Sequence, residues 1–331
     1  MLDMDGLHSF IAVAKDKSIS KAAQALHVTQ PTLSARLRKL EESLGVKLLE
    51  RGWDGIRLTK EGRFFLSYSV DLFQQIEEAG AILSQDGGGG ILERPLEAVA
   101  NEKRLRIGIE SFYYPAFLPS VIEGIRAVVP DAECRFVNKT SDLLTGMVDC
   151  EGLDLCLNFN YVGDLHPCSR LVHYDKAVLL YPKEGYPDIR TDLSNAPLIA
   201  DRPFILFDNS PLRQYSEVTE RVFHYLLGRV PERFHIVNDV TVMADMLRRG
   251  FGYTFMPRSS LLHMMDASLP FHAIEMDAEF LISPVFITYS QNPSSRHPIE
   301  EIARAVTGRL KDAIDAAFQG KQAYGYRRKG D

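Results

Sequence analysis

The sequence predicts three parts: a small helical head with a two-stranded wing, a long linking helix, and a two-lobed α/β domain. Two observations predict this order. Apolar residues recur at helical spacing, first in short blocks split by tight turns and then along one long stretch. After four glycines in a row, Gly87 to Gly90, the pattern changes to short apolar strands alternating with helices. A length of 331 residues fits two or three domains at about 100 to 200 residues each.

Leu7, Phe10, Ile11 and Ala14 form the apolar stripe of a first helix, which Ser18 and Ser20 interrupt. Ser20 is the expected cap of a short second helix holding Ala22, Ala23 and Leu26. His27, Val28 and Thr29 leave room only for a tight turn. Thr29 can cap a third helix, Pro31 suits its first turn, and Leu33, Leu37, Leu40 and Leu44 face inward until Gly45 ends it. Pro31, Thr32, Ala35, Arg38, Lys39 and Glu42 are left outward, with Ser34 and Arg36 on the flanks. Val46 to Leu49 and Ile56 to Leu58 read as two short strands about a turn at Gly52 to Gly55, so residues 1–58 make a winged helix-turn-helix. Residues 59–85 are a linker helix. In it Phe65, Tyr68, Leu72, Ile76, Ala79 and Leu83 make a seam for pairing with a second copy. Residues 86–103 are a Gly-rich flexible linker, without the Lys-Ser/Thr of a phosphate loop.

From Leu105 the α/β scheme runs once through Tyr181 and restarts at Phe204. This gives lobe one (about 104–178 plus 282–315) and lobe two (about 179–281), with a helix from Pro298 returning the chain to lobe one. Residues 316–331 are expected to be a solvated tail.

Composition bounds the function. Hydrophobic residues at 45% and charged residues at 25% exclude wholesale disorder. No window approaches a membrane span, and the acidic start Met1-Leu2-Asp3-Met4-Asp5 is unlike a signal peptide, so a cytoplasmic address without membrane contact is expected. Four cysteines are too few for a disulfide scaffold. The net charge is -6, yet residues 1–60 carry ten Lys/Arg against seven Asp/Glu, or +3, leaving -9 for the rest. Between Ser20 and Leu40 there are four bases and no acid, the local charge that phosphate contact needs. No nucleophile elbow, zinc-binding His-Glu-x-x-His or dinucleotide glycine fingerprint occurs, so neither an enzyme nor a cofactor is indicated.

The stretch from Ser20-Lys21-Ala22-Ala23 through Val28-Thr29-Gln30-Pro31-Thr32-Leu33-Ser34, Leu40-Glu41-Glu42 and Leu58-Thr59-Lys60-Glu61-Gly62 closely resembles the LysR-type transcriptional regulators. Arg249-Gly250-Phe251-Gly252 running into Met256-Pro257 agrees with that family's effector domain, and coverage is nearly whole-chain. The resemblance implies an all-α winged head and linker helix followed by a two-lobed, periplasmic-binding-protein-like effector domain. It also implies a homodimer or homotetramer on double-stranded promoter DNA, a small-molecule effector, and RNA polymerase as a further partner. Carried over by position, Gln30, Pro31, Thr32 and Ser34 touch bases, while Arg38, Lys39 and wing Arg57 meet phosphates. Many members place Arg where this chain has Ala35, which suits a thymine methyl instead. Arg36 either joins the DNA-binding set or covers the second helix.

For the effector, strand ends and helix starts supply Ser111, Asn209, Ser210 and Thr241 as polar ligands, Phe112 as an apolar wall and Asn160 as a weaker addition. The competing expectation is that these serines and Asp239 only cap helices. Helix N-termini favour a carboxylate and Phe112 to Tyr114 suit a ring, so an organic acid or aromatic carboxylate is expected, although Glu110 and Asp208 would repel one if turned inward. Two alternatives keep the architecture: a redox regulator using Cys156 and Cys168, with Cys134 and Cys150 as core positions, or a ligand-independent one. A metal site from Cys156, His166, Cys168 and His173 matches no compact zinc spacing. A solute-binding module for transport is the remote alternative.

Overall fold

The structure, a computed structural model, describes residues 3–52, 55–84, 104–159, 166–207, 213–264, 270–293, 295–319 and 326–327. The chain divides into two units, Met1–Ala100 and Asn101–Asp331.

The first unit contains α1 (Met4–Asp16), α2 (Ile19–Ala25), α3 (Gln30–Leu44), β1 (Leu49–Gly52), β2 (Gly55–Leu58) and α4 (Lys60–Ser84). Asp3, Ser18 and Thr29 cap the first three helices through their side chains. The expected cap Ser20 lies inside α2. Lys17 already turns the chain at φ 51, so Ser18 is the first residue able to receive the Lys21 N–H. Gly45 ends α3 in the left-handed region at φ 71. The first wing strand begins three residues later than the sequence suggests. Leu48 is buried in the head's core, and Glu41 Oε1 takes the N–H of both Leu48 and Leu49, so Val46 to Leu48 cannot pair as a free strand. The strands then pair antiparallel, Leu49 opposite Leu58 and Glu50 opposite Arg57. Phe10, Val13, Ala22, Ala23, Leu33, Leu37, Leu40 and Leu48 form one core.

The second unit holds two sheets. In the first, β4 (Glu133–Lys139), β3 (Arg104–Glu110) and β5 (Leu155–Phe159) run parallel, and β12 (Ser283–Tyr289) and β6 (Ser169–Asp175) complete the order β4-β3-β5-β12-β6. Helices α5 (Tyr114–Val128) and α9 (Ile299–Gln319) cover one face of it, so close that a Cβ on Gly124 would stand 2.7 Å from Val306 Cα. Helix α6 (Ser141–Asp149) packs with Leu153 and Cys156 in a separate small cluster. In the second sheet β10 (Thr254–Pro257), β7 (Ala177–Pro182), β11 (Phe271–Met276) and β13 (Tyr326–Arg327) are neighbours. The pair β8 (Phe204–Phe207) and β9 (Phe234–Val237) joins it through a Phe204–Tyr253 bridge. Helices α7 (Arg213–Leu227) and α8 (Val240–Arg248) complete the lobe.

The chain passes from the first sheet to the second at Asp175–Ala177, returns between Met276 and Ser283, and reaches the second sheet again after α9 at Tyr326–Arg327. Strands β6 and β11 were not expected from the sequence, because His173, His272 and Glu275 break their apolar runs. The expected solvated tail is also corrected: α9 runs on to Gln319, and Tyr326–Arg327 pairs parallel with Ala273–Ile274 on the open edge of β11. The Gly-rich segment 86–103 and the basic pair Arg328 and Lys329 lie outside the described residues.

Candidate functional site

Helix α3 is two-faced. Leu33, Leu37 and Leu40 are buried, while Gln30, Pro31, Thr32, Ala35, Arg38 and Lys39 are exposed, with Ser34 and Arg36 half-buried between them. Thr29 Oγ1 lies 2.8 Å from Thr32 Oγ1 and accepts the Thr32 N–H, so the cap also fixes the first exposed turn. The bases differ in their surroundings. Lys39 Nζ lies 2.7 Å from Asp3 Oδ2, and an Arg36 guanidinium nitrogen lies 2.7 Å from Asp5 Oδ2. Arg38 has no acidic partner among the described residues. Arg57 is exposed on β2 opposite Glu50. Both α1 acids escaped the sequence reading, because nothing local links Asp3 to a lysine thirty-six residues on. Lys39 donates to Asp3, as does the Gly6 N–H, and these bonds hold the Asp3 carboxyl below the usual carboxylate range.

The proposed pairing seam on α4 is partly redistributed. Phe65 is half-buried against the head's own core, its ring 5.6 Å from Phe10, so part of its apolar surface is already committed within the head. Tyr68, Leu72 and Ile76 are 39%, 50% and 45% exposed, and Phe64, which the sequence reading missed, is 62% exposed and packs on Tyr68 at 5.1 Å. The side chains of Ala79 and Leu83 lie outside the described residues.

In the second unit, β3 ends at Glu110, and Ser111, Phe112 and Tyr113 lead into α5. Ser111 caps nothing; its hydroxyl donates to Asn138 Oδ1 at 2.6 Å, which places Asn138 at the end of β4 in the same cluster. Asn138 was missed although it sits where a parallel strand ends. Phe112 is not an open wall. It is 3% exposed and packs in the second lobe's core with its ring 4.5 Å from Phe207, where Phe159 and Val237 also pack. The buried Glu110 carboxylate accepts the Phe112 N–H at 2.8 Å. Tyr113 is buried, stacked on Phe117, and its hydroxyl donates to Asp175 at 3.2 Å.

Thr241 is exposed at the start of α8. Its backbone N–H and hydroxyl both go to Asp239, which caps the helix; the Thr241 hydroxyl bond, followed by the two backbone N–H groups, keeps the Asp239 carboxyl below its ordinary range despite partial burial. The capping expectation therefore holds for Asp239 and fails for Ser111. Asn160, Asn209 and Ser210, together with Asp208, lie outside the described residues.

Where the chain first crosses between sheets, fully buried Asp175 accepts the backbone N–H of Lys176 and Ser259 besides the Tyr113 hydroxyl. Lys176 Nζ pairs with Glu275 at 2.5 Å, and Arg258 lies over the Phe318 ring at 4.5 Å. The adjoining cavity, between Phe112, Lys176, Thr219, Met256 and Leu281, measures about 30 Å³, room for one water and not for an organic effector.

The cysteines are sorted differently from the sequence expectation. Cys150, read as core, is exposed at the end of α6, whereas Cys156 is fully buried and burial pushes its thiol far up. Cys156 faces Thr288 in register, and Cys168 O accepts from Tyr289, so β12 stands between them. Two strand spacings, about 9.5 Å, exceed the Cα separation a disulfide spans. No group of three metal-ligating side chains occurs among the described residues, and no described helix is long and apolar enough to cross a membrane.

Residues 4–63 match the family described as bacterial regulatory helix-turn-helix protein, lysR family, and residues 100–311 match the LysR substrate binding domain. The HTH-type transcriptional regulator BenM of Acinetobacter baylyi is 23% identical over 263 residues, covering 78% of this chain and 81% of that protein. PcaQ of Agrobacterium fabrum is 26% identical over 269 residues (78% and 77%), and OxyR of Escherichia coli is 23% identical over 321 residues (96% and 99%). Among solved structures, full-length BenM aligns over 100% of both chains at 20% identity and TM-score 0.45. Full-length CbnR complexed with its target DNA aligns over 94% of this chain and 99% of that one at 19% identity and TM-score 0.42. With both family domains matched in order, one on the two-faced helix head and one on the two-sheet unit, the chain belongs to the LysR family of transcriptional regulators, which bind promoter DNA through the head and respond to a small-molecule effector through the C-terminal domain.

Proposed function

We propose that this regulator reads its promoter with the exposed face of α3, as a cytoplasmic homo-oligomer that acts by binding and carries out no catalysis. Gln30, Pro31, Thr32 and Ser34 reach base edges, Ala35 meets a methyl group, and Arg38 with wing Arg57 meets phosphates. The observation that carries this is the division of α3: three leucines are buried and every residue from Gln30 to Thr32, with Arg38, is exposed. Phe64, Tyr68, Leu72 and Ile76 on α4 supply the contact between copies, being exposed apolar side chains along one helix. An anisotropy titration on promoter DNA tests the face. Ser34→Ala with Arg38→Ala is expected to abolish specific binding and flatten its salt dependence, whereas unchanged affinity and slope would reject the assignment.

The effector site is placed at the strand ends of the second unit, with the Ser111–Asn138 pair on one lobe and Thr241 on the α8 N-terminus of the other, over a floor of Phe112, Phe159, Phe207 and Val237. Support comes from the two lobes sharing one apolar cluster at these ends. Glu110 is engaged by its own loop, but Asp239 already takes the Thr241 hydroxyl and the Thr241 and Val242 N–H groups, so an organic acid or aromatic carboxylate is held at the α8 N-terminus only by displacing that cap. A thermal-shift screen of the full chain against carboxylic acids should give a hit that Ser111→Ala and Thr241→Ala both weaken. A hit indifferent to both places the effector elsewhere. The redox alternative is disfavoured by the strand between Cys156 and Cys168.

A further inference from the structure

We infer that Asp3 and Asp5 act as built-in competitors for DNA phosphate, occupying Lys39 and Arg36 on the reading helix and so holding DNA affinity below what the basic face alone would give. The inference rests on the proposal that α3 faces DNA, and deepens it.

Three bases stand close together on α3, and two of them are taken by carboxylates from the first turn of α1, each at 2.7 Å. Asp3 cannot easily swing away. It is the N-cap of α1, with Oδ1 receiving the Gly6 N–H at 2.7 Å while Oδ2 receives Lys39. Lys39 remains 68% exposed and Asp3 40% exposed, so an incoming phosphate reaches the same ammonium from the solvent side, next to a fixed negative charge. Asp5 is 69% exposed beside Arg36, which is 30% exposed. A cation already neutralised by a fixed carboxylate releases fewer condensed counterions when it meets DNA, because part of the phosphate's role is already filled. Arg38, between them in sequence, has no acidic partner among the described residues and is the base left for phosphate outright. The acids also suit the positive end of α1, so stability alone explains their presence at a helix start. Both also reach across to bases of the reading helix, which capping α1 does not itself require.

The test uses the full chain and a mixed-sequence DNA duplex of about three helical turns, since phosphate contact is independent of sequence. Asp3→Asn keeps the cap, because asparagine caps as well as aspartate, and Asp3→Ser is a second capping variant. With Asp5→Asn added, affinity at low salt is expected to rise about tenfold, and log Kd against log salt to steepen by about 0.9 for each freed cation. Lys39→Gln should erase the gain from Asp3→Asn, an outcome that mere stabilisation of α1 would not produce. If Lys39→Gln and Arg38→Ala weaken binding but the aspartate variants leave affinity and slope unchanged or lower, the inference is overturned while the α3 face stands. If neither base variant changes binding, the face itself is wrong and the inference falls with it.

Discussion

Replacing Gly62 by alanine should destabilise the head, and the size of the loss follows from the packing at the start of α4. A Cβ at Gly62 would overlap the Leu48 carbonyl oxygen and lie 2.9 Å from its carbonyl carbon and 3.2 Å from its Cα. These are backbone atoms, so no side-chain rotation relieves the clash. Leu48 is buried to 1% exposure, its carbonyl accepts the Thr59 N–H at 3.0 Å, and its own N–H goes to Glu41 at 2.9 Å. Moving it aside breaks two hydrogen bonds at about 1 kcal/mol each and exposes part of a leucine worth about 2 kcal/mol. Removing a helix glycine returns about 1 kcal/mol, which leaves a net loss of about 3 kcal/mol.

The chain's single tryptophan, Trp53, falls between β1 and β2 in sequence, so its emission in a urea titration follows the head and not the second unit. At about 1 kcal/mol per molar urea, a domain this small should lose about 3 M of its midpoint. Gly80→Ala on the same helix is the control: nothing lies within 4 Å of its added Cβ, and the midpoint should hold or rise. A Gly62→Ala midpoint within about 0.5 M of the parent would refute the claim that α4 meets the Leu48 backbone, just before the wing, in direct contact.

Other predictions address assembly, pH and thiol chemistry. Leu72→Glu with Ile76→Glu should give monomers by light scattering, since both side chains are exposed apolar groups on α4; a persisting dimer would move the contact elsewhere. Burial raises the Glu41 carboxyl, but bonds from Lys47, Leu48 and Leu49 outweigh it and leave the group below its ordinary 4.5. A depressed folded value stabilises above the unfolded value, so Glu41→Gln should cost the head about 1 kcal/mol at neutral pH. That difference should vanish as pH falls through the depressed value; one that grew in acid would contradict it. In alkylation followed by mass spectrometry, exposed Cys150 should react first and buried Cys156 last, and peroxide should yield no Cys156–Cys168 bridge in the folded protein.

What the sequence determined by itself is local. Leu33, Leu37 and Leu40 at helical spacing fixed which face of α3 is buried, and Thr29 and Gly45 marked its two ends, because burial stripes and caps depend only on residues three or four apart. Phe204–Phe207 and Phe234–Val237 were likewise legible as strands, being short apolar runs between breakers. Tertiary structure alone decided who meets whom. Nothing in the repeat of α4 distinguishes Phe65, drawn onto Phe10, from exposed Phe64 beside it, and nothing near Phe112 announces that it fills the other lobe's core. His173 and Glu275 disguised β6 and β11 as loops because their partners, Ser259 and Lys176, lie far along the chain. The same distance in sequence hid the pairing of Asp3 with Lys39. Periodicity encodes the faces of an element, whereas the charge and shape that a face meets are set only when remote segments are brought together.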